Sequence, residues 1–153
     1  MPFIAKIPKG RGVFVLVKTS NPAAGEFQDL PSPDRMLWEK IAKRVEGWGG
    51  DFVGSSGLSS VGAVVGATYP ADLKRARELM PHATILVPGY GAQGGGASDA
   101  VAAARADGLG AIVSASRSVM YAYLKAPDKK PPQAAADAIA SMCSALNDAL
   151  AAR

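Results

Sequence analysis

Cysteine and histidine are almost missing from this chain: Cys143 and His82 are single residues among 153. One cysteine excludes an internal disulfide, and one His with one Cys cannot complete a tetrahedral zinc site. No metal is expected. Any Ser-His-Asp or Cys-His arrangement would have to use His82, which follows Pro81 at a helix-to-strand turn and reads as a solvated loop residue. Cys143 falls inside an Ala-rich helical pattern and reads as a small buried thiol. Long apolar runs are also absent, since none approaches the roughly 18 to 20 residues that a bilayer crossing needs. The opening MPFIAKIPKGRG is broken by charges and prolines where a signal peptide needs a continuous apolar stretch. A cytoplasmic chain with no membrane partner is expected. Charge of one sign is limited too: 20% of residues are charged, an ordinary share, and the net of +4 is modest. The basic residues (Lys6, Lys9, Arg11, Lys18, Lys40, Lys43, Arg44) are scattered without aromatic interleaving. That pattern gives no case for nucleic acid and weak support for an anionic ligand.

What is present is an ordinary folding composition, 48% hydrophobic, in a length that suits one domain with a real core. Four short apolar runs stand out: Val13 to Val17, Val61 to Gly66, Thr84 to Val87 and Ala111 to Val113. Their continuous apolar character predicts strands buried on both faces, as in parallel sheets. Helical patterns lie between and after them. Arg35 to Trp48 places Met36, Leu37, Ile41, Val45 and Trp48 along one face, and Ala71 to Met80 stops at Pro81. Ser98 to Asp107 predicts a helix with Ser98 as N-cap and Gly108 at its end. Pro131 to Ala152 is the longest, with Ala135, Ala138, Ile139, Met142, Leu146 and Leu150 on a 3.6-residue period. Strand alternating with helix predicts right-handed crossovers and a parallel α/β sheet.

In such architectures ligands meet the carboxyl ends of the strands, so the polar tails are the functional candidates. The tails read Lys18-Thr19-Ser20-Asn21-Pro22, Gly66-Ala67-Thr68-Tyr69-Pro70, Pro88-Gly89-Tyr90-Gly91-Ala92-Gln93-Gly94-Gly95 and Ser114-Ala115-Ser116-Arg117-Ser118. Glycines let backbone N–H groups approach an anion, and a guanidinium can fork across two phosphate oxygens. The glycine loop and Arg117 together therefore point to phosphate. Gly89 to Gly94 also fits G-x-G-x-x-G, the dinucleotide-binding pattern. A Rossmann unit wants an acid roughly 20 positions further on for the ribose; that region holds Arg117 and no acid. An NADP reader could use Arg117, which keeps an NADP-dependent oxidoreductase as an alternative. The loop follows the third strand, however, whereas the Rossmann fingerprint normally follows the first. A (β/α)₈ barrel commonly grips phosphate with the loops after its last two strands. If these strands are the second half of a barrel, Gln93 to Gly95 and Arg117 fall on the seventh and eighth, and the barrel reading is preferred.

Taken in order, Val13 to Pro22 with its Thr-Ser-Asn-Pro, Val64 to Pro70, Val87 to Gly95 and Ser116-Arg117 resemble orotidine 5′-phosphate decarboxylase, the bacterial type 2 subfamily in particular. Pro-Gly-x-Gly-x-Gln-Gly-Gly is the most diagnostic of the four motifs. The resemblance runs from about Gly10 to the end of the last helix. It implies the C-terminal half, strands five to eight, of a TIM (β/α)₈ barrel: a single half-barrel domain over 1–153, with 1–10 as a leader and 11–153 as βα units five to eight. It also implies conversion of orotidine 5′-monophosphate (OMP) to uridine 5′-monophosphate (UMP) and CO₂, with no metal or organic cofactor. By motif, Gln93 would bridge pyrimidine and phosphate. Arg117 would bind the phosphate, helped by backbone N–H groups around Ser116 and Arg117, and Gly94 would belong to the same substrate-binding set. Ser20 would meet the pyrimidine edge, and Pro88 and Gly89 would shape the pocket wall. Asn21 and Thr68 match the family pattern with no role assigned.

The same resemblance shows a gap. The family's chemistry rests on Asp-x-Lys-x-x-Asp, whose lysine protonates the carbanion as CO₂ leaves, and no such motif occurs here. The nearest string, Asp72-Leu73-Lys74-Arg75-Ala76-Arg77, ends in Arg and reads as a solvated helix face. The expectation is therefore a C-terminal half from a truncated or split gene, or from a frame begun at an internal Met, without decarboxylase activity in isolation. Such a half should aggregate, pair with an N-terminal half-barrel or form a homodimer. A non-catalytic UMP- or phosphate-binding half-barrel is the second reading.

Overall fold

A computed structural model describes residues 2–91 and 95–153. Four parallel strands form one sheet in the order β1-β2-β3-β4: β1 Val13–Lys18, β2 Ser59–Val65, β3 Ala83–Val87 and β4 Ala111–Val113. The order equals the chain order and never reverses. The crevice at which a dinucleotide fold opens to its cofactor therefore does not form. Sequential parallel strands with helical crossovers are instead the arrangement of a barrel wall.

The helices are α1 Gly25–Gln28, α2 Leu37–Gly49, α3 Pro70–Leu79, α4 Ala97–Ala100, α5 Ser116–Met120 and α6 Pro131–Ala151. Helix α2 begins two residues later than the apolar period predicts, because the Arg35 carbonyl accepts hydrogen bonds from both the backbone N–H and the hydroxyl of Ser32. The Glu39 carboxylate then accepts the Met36 N–H at 3.0 Å, satisfying a donor at the helix start. Proline opens both α3 and α6, where its missing N–H costs nothing. Ahead of β1, a 3₁₀ turn at Ile4–Lys9 places Ile7 in the core.

The core lies between one face of the sheet and the helices α2 and α3. Val17, Val61, Val65, Ile85 and Val87 point into it, against Trp38, Ala42 and Val45 from α2 and Leu73, Ala76 and Leu79 from α3. The opposite sheet face is apolar but open, which corrects the expectation of strands buried on both sides. Phe14, Leu16 and Ile112 are 48%, 56% and 49% exposed there. The strand register sets Leu16 beside Val64, Val64 beside Leu86 and Leu86 beside Ile112, a continuous aliphatic row across the sheet. The run of apolar residues is thus explained by a face that this chain alone does not cover.

Two further expectations are corrected. The helix predicted from Ser98 to Asp107 is only α4, started by Gly96 rather than Ser98 and followed by a 3₁₀ turn at Val101–Ala103. The backbone leaves helical geometry at Ala104, with ψ of 153°, and arginines donate to the carbonyls left open there. Arg77 donates to Ala103 O at 2.8 Å, and Arg153 to Val101 O and Ala104 O. Cys143 is exposed, not buried. Helix α6 packs through Ala134 and Leu146, leaving Ile139, Met142 and Cys143 beside an open groove with Val119 and Met120 of α5. His82 is exposed as expected and is also paired, with Nδ1 2.6 Å from Glu46 Oε1. Among the described residues no helix is long and apolar enough to cross a membrane.

Candidate nucleotide site

A cavity of ≈ 310 Å³ opens at the carboxyl ends of the strands. Leu16, Thr19, Ser20 and Asn21 line it from β1 and its tail, Val64 from β2, Pro88, Gly89 and Tyr90 from the β3 tail, and Ser114, Ala115, Ser116 and Arg117 from the β4 tail. Five of the seven candidate residues, Ser20, Pro88, Gly89, Ser116 and Arg117, therefore face one space. Gln93 and Gly94 lie outside the described residues.

Backbone hydrogen bonds fix these tails to one another beyond the strands themselves. Gly66 N–H donates to Lys18 O at 2.9 Å, Ala67 N–H to Pro88 O at 3.0 Å and Ser114 N–H to Val87 O at 3.1 Å. The cavity rim is thus a continuation of the sheet, which makes it rigid where it must be shaped. The β3 tail turns away through Gly89 and Gly91, with φ of +94° and +71°, a left-handed conformation that side-chain-bearing residues rarely adopt. It closes on itself through Gly91 N–H to Gly95 O at 2.9 Å.

Ser116 and Arg117 open the short helix α5, which the apolar pattern does not reveal because it is only five residues long. Both are exposed at the cavity. Among the described residues no carboxylate pairs with Arg117, whereas nine ion pairs occupy other cations. A guanidinium at a cavity mouth without an acid is available to an anionic ligand. Thr68 Oγ1, at the β2 tail, is buried with no hydrogen-bond partner among the described residues. Among the described residues no cluster of His, Cys, Asp or Glu could hold a metal ion.

A second constellation lies beside the cavity and was not foreseen. Lys18, the last residue of β1, is only 5% exposed. Its Nζ is paired with Asp29 and with Asp72, the latter at 2.9 Å, and stands 5.4 Å and 5.5 Å from the ring centres of Trp38 and Tyr69. Burial alone would lower its pKa, but the hydrogen bonds and charges of the two aspartates outweigh that and hold it raised. Asp72 is therefore an ion-pair residue at the start of α3, not part of a solvated face. The sequence offered one clue: a lysine ending a buried apolar strand requires a partner.

The fold and cavity together define a class: four consecutive βα units of a (β/α)₈ barrel, with an anion-suited pocket at the carboxyl face. No protein-family model matches the chain. Over 113 residues, 74% of this chain, it is 49% identical to orotidine 5′-phosphate decarboxylase of Caldicellulosiruptor bescii, and over 115 residues 46% identical to that of Rhodopirellula baltica. Among solved structures it is similar to Leishmania donovani UMP synthase (TM-score 0.71, 38% identity, 91% of this chain and 28% of that one). It is similar also to Leishmania donovani OMP decarboxylase (TM-score 0.67, 35% identity, 91% and 48%). Over these stretches the chain is homologous to orotidine 5′-phosphate decarboxylases. It spans 37% and 38% of the length of the two curated relatives and about half of the barrel.

Proposed function

We propose that this chain is the half of an orotidine 5′-monophosphate decarboxylase that grips the nucleotide, βα units five to eight in a single domain, without the groups that deliver the proton. The observation carrying this reading is the shared cavity of Ser20, Pro88, Gly89, Ser116 and Arg117. Arg117 forks onto the phosphate, assisted by the N–H groups of the first turn of α5, which have no intrahelical acceptor. Ser20, from the opposite wall, meets the pyrimidine edge. Pro88 and Gly89 form the floor between them.

Decarboxylation leaves a carbanion that must be protonated, and binding alone does not supply a donor placed where that charge develops. Among the described residues the one buried lysine near the cavity, Lys18, is held by two aspartates and does not line it. The Asp-x-Lys-x-x-Asp motif is absent from the sequence. The chain by itself binds UMP and does not turn OMP over. A complementary half-barrel, carried by an N-terminal half or by a second copy, is the partner that the open sheet face fits.

Titration calorimetry with UMP tests the reading. The chain should bind UMP, and Arg117→Ala should weaken binding at least tenfold, the loss of a charge-assisted fork to phosphate. No OMP turnover should be detectable without a partner. Failure of the unmodified chain to bind UMP, or tighter binding of NADPH, would overturn the proposal.

A further inference from the structure

We propose that Lys18 is a positioning residue for the nucleoside end of the cavity, acting through Asp29 and Asp72 and never touching the ligand. The inference rests on the UMP-binding reading above.

Three chain segments converge on this ammonium. Asp72 is in the first turn of α3, directly after the β2 tail. Asp29 closes the short helix α1, and Gln28 of the same helix accepts the Thr19 N–H at 3.0 Å. The carbonyl of Lys18 itself accepts the Gly66 N–H. The wall formed by Thr19, Ser20 and Asn21 therefore hangs between two fixed points, Lys18 at one end and the α1 helix at the other. Arg117, on the β4 tail, lines the cavity and, among the described residues, forms no ion pair with this cluster.

An ionic cluster is a poor device for stability alone. Desolvating the charges offsets most of the attraction, and an apolar side chain of similar volume commonly stabilises a buried site as well. What the cluster adds is direction. A lysine held by two carboxylates and capped by two aromatic rings has one place to sit, so the backbone that carries it has one place as well. An apolar residue would fill the space without fixing the tail.

The inference separates two ligands. UMP needs both walls, whereas inorganic phosphate needs only Arg117 and its neighbours. In Lys18→Met, UMP affinity should fall at least tenfold, while inorganic phosphate, followed by its phosphorus resonance, should bind within twofold of the unmodified chain. Equal losses for both ligands, or no loss for either, would overturn the proposal, because general destabilisation does not discriminate between them. If Lys18→Met does not fold, Asp72→Asn, which keeps the Asp29 pair, should show the same selectivity to a smaller extent. Amide hydrogen exchange keeps this test independent of the UMP reading. Thr19 N–H should exchange at least tenfold faster in the variant, with the β3 amides unchanged. A chain that binds no UMP but shows that pattern retains the clamp and loses the nucleotide assignment, whereas unchanged Thr19 exchange removes the clamp.

Discussion

Gly66 and Ser20 approach so closely that a Cβ on Gly66 would stand 2.8 Å from both the Cβ and the backbone nitrogen of Ser20. The obstacle is backbone, so it cannot rotate away. Gly66→Ala must push the β1 tail outward or break the Gly66 N–H to Lys18 O bond. Overpacking of this kind costs about 1–3 kcal/mol. Because the displaced residue lines the cavity, UMP affinity should fall at least tenfold in calorimetry, while Gly54→Ala, whose new Cβ meets only Leu58 O at 3.8 Å, should bind as before. Equal affinity in both variants would detach Ser20 from the site.

Arg77 closes the other end of the sheet. Its guanidinium donates to the carbonyls of Met80, Ala83, Ala103 and Gly110 at 2.7 to 2.9 Å, joining α3 to the leads of β3 and β4. Burial lowers its pKa to about 10, so it is still charged at neutral pH. Arg77→Met strands several carbonyls at once, and each buried unsatisfied group costs about 1–3 kcal/mol. Thermal unfolding should shift down by roughly 10 °C, from ~3 kcal/mol in a domain of this size. The amino-terminal face of such a sheet serves stability, so phosphate binding below that transition should be retained. A loss of phosphate binding without a change in melting would reverse the assignment.

The strands were legible because β-branched runs bounded by Gly and Pro specify them locally, and five of the residues lining the cavity could be named in advance because they follow strand ends. What escaped was set by distant side chains. Nothing near Ser98 announces that Arg77 and Arg153, one on another helix and one beyond the end of α6, satisfy the carbonyls of Ala103 and Val101 where the helical pattern stops. Cys143 follows a helical period whose apolar side is real, but a period does not say whether a neighbour covers it. The same holds for Phe14 and Leu16. Lys18 and Asp72 are 54 positions apart, a pairing that only the parallel crossover creates.

Glu39 carries an acid-sensitive part of the stability. Its carboxylate accepts Arg75 Nε at 2.7 Å and the Met36 N–H at 3.0 Å. The hydrogen bond from Arg75 holds its pKa below the ordinary 4.5, burial opposing and the Met36 N–H assisting. A carboxylate depressed in the fold binds its proton more weakly there than in the unfolded chain. Its contribution is therefore complete above pH 4.5 and is lost as pH falls through the lower folded value. Urea midpoints taken from pH 7 to pH 3 should fall less steeply for Glu39→Gln than for the unmodified chain, starting from a lower value at neutrality. Parallel curves would show that the pair at the start of α2 contributes nothing.

The aliphatic row Leu16, Val64, Leu86 and Ile112 spans an open sheet face whose two edge strands, β1 and β4, each have one neighbour. Exposed apolar surface of this extent, joined to unpaired strand edges, favours association. In sedimentation the chain should run above its monomer mass and dissociate on dilution. Ile112→Glu puts a carboxylate into that row from a half-exposed position that does not line the cavity, so it should shift the chain toward monomer without unfolding it. Leu73→Glu, at a fully buried core position, should instead unfold the chain. A monodisperse monomer across a wide concentration range, unaffected by Ile112→Glu, would mean that the open face is not an interface and that no second half-barrel is drawn to it.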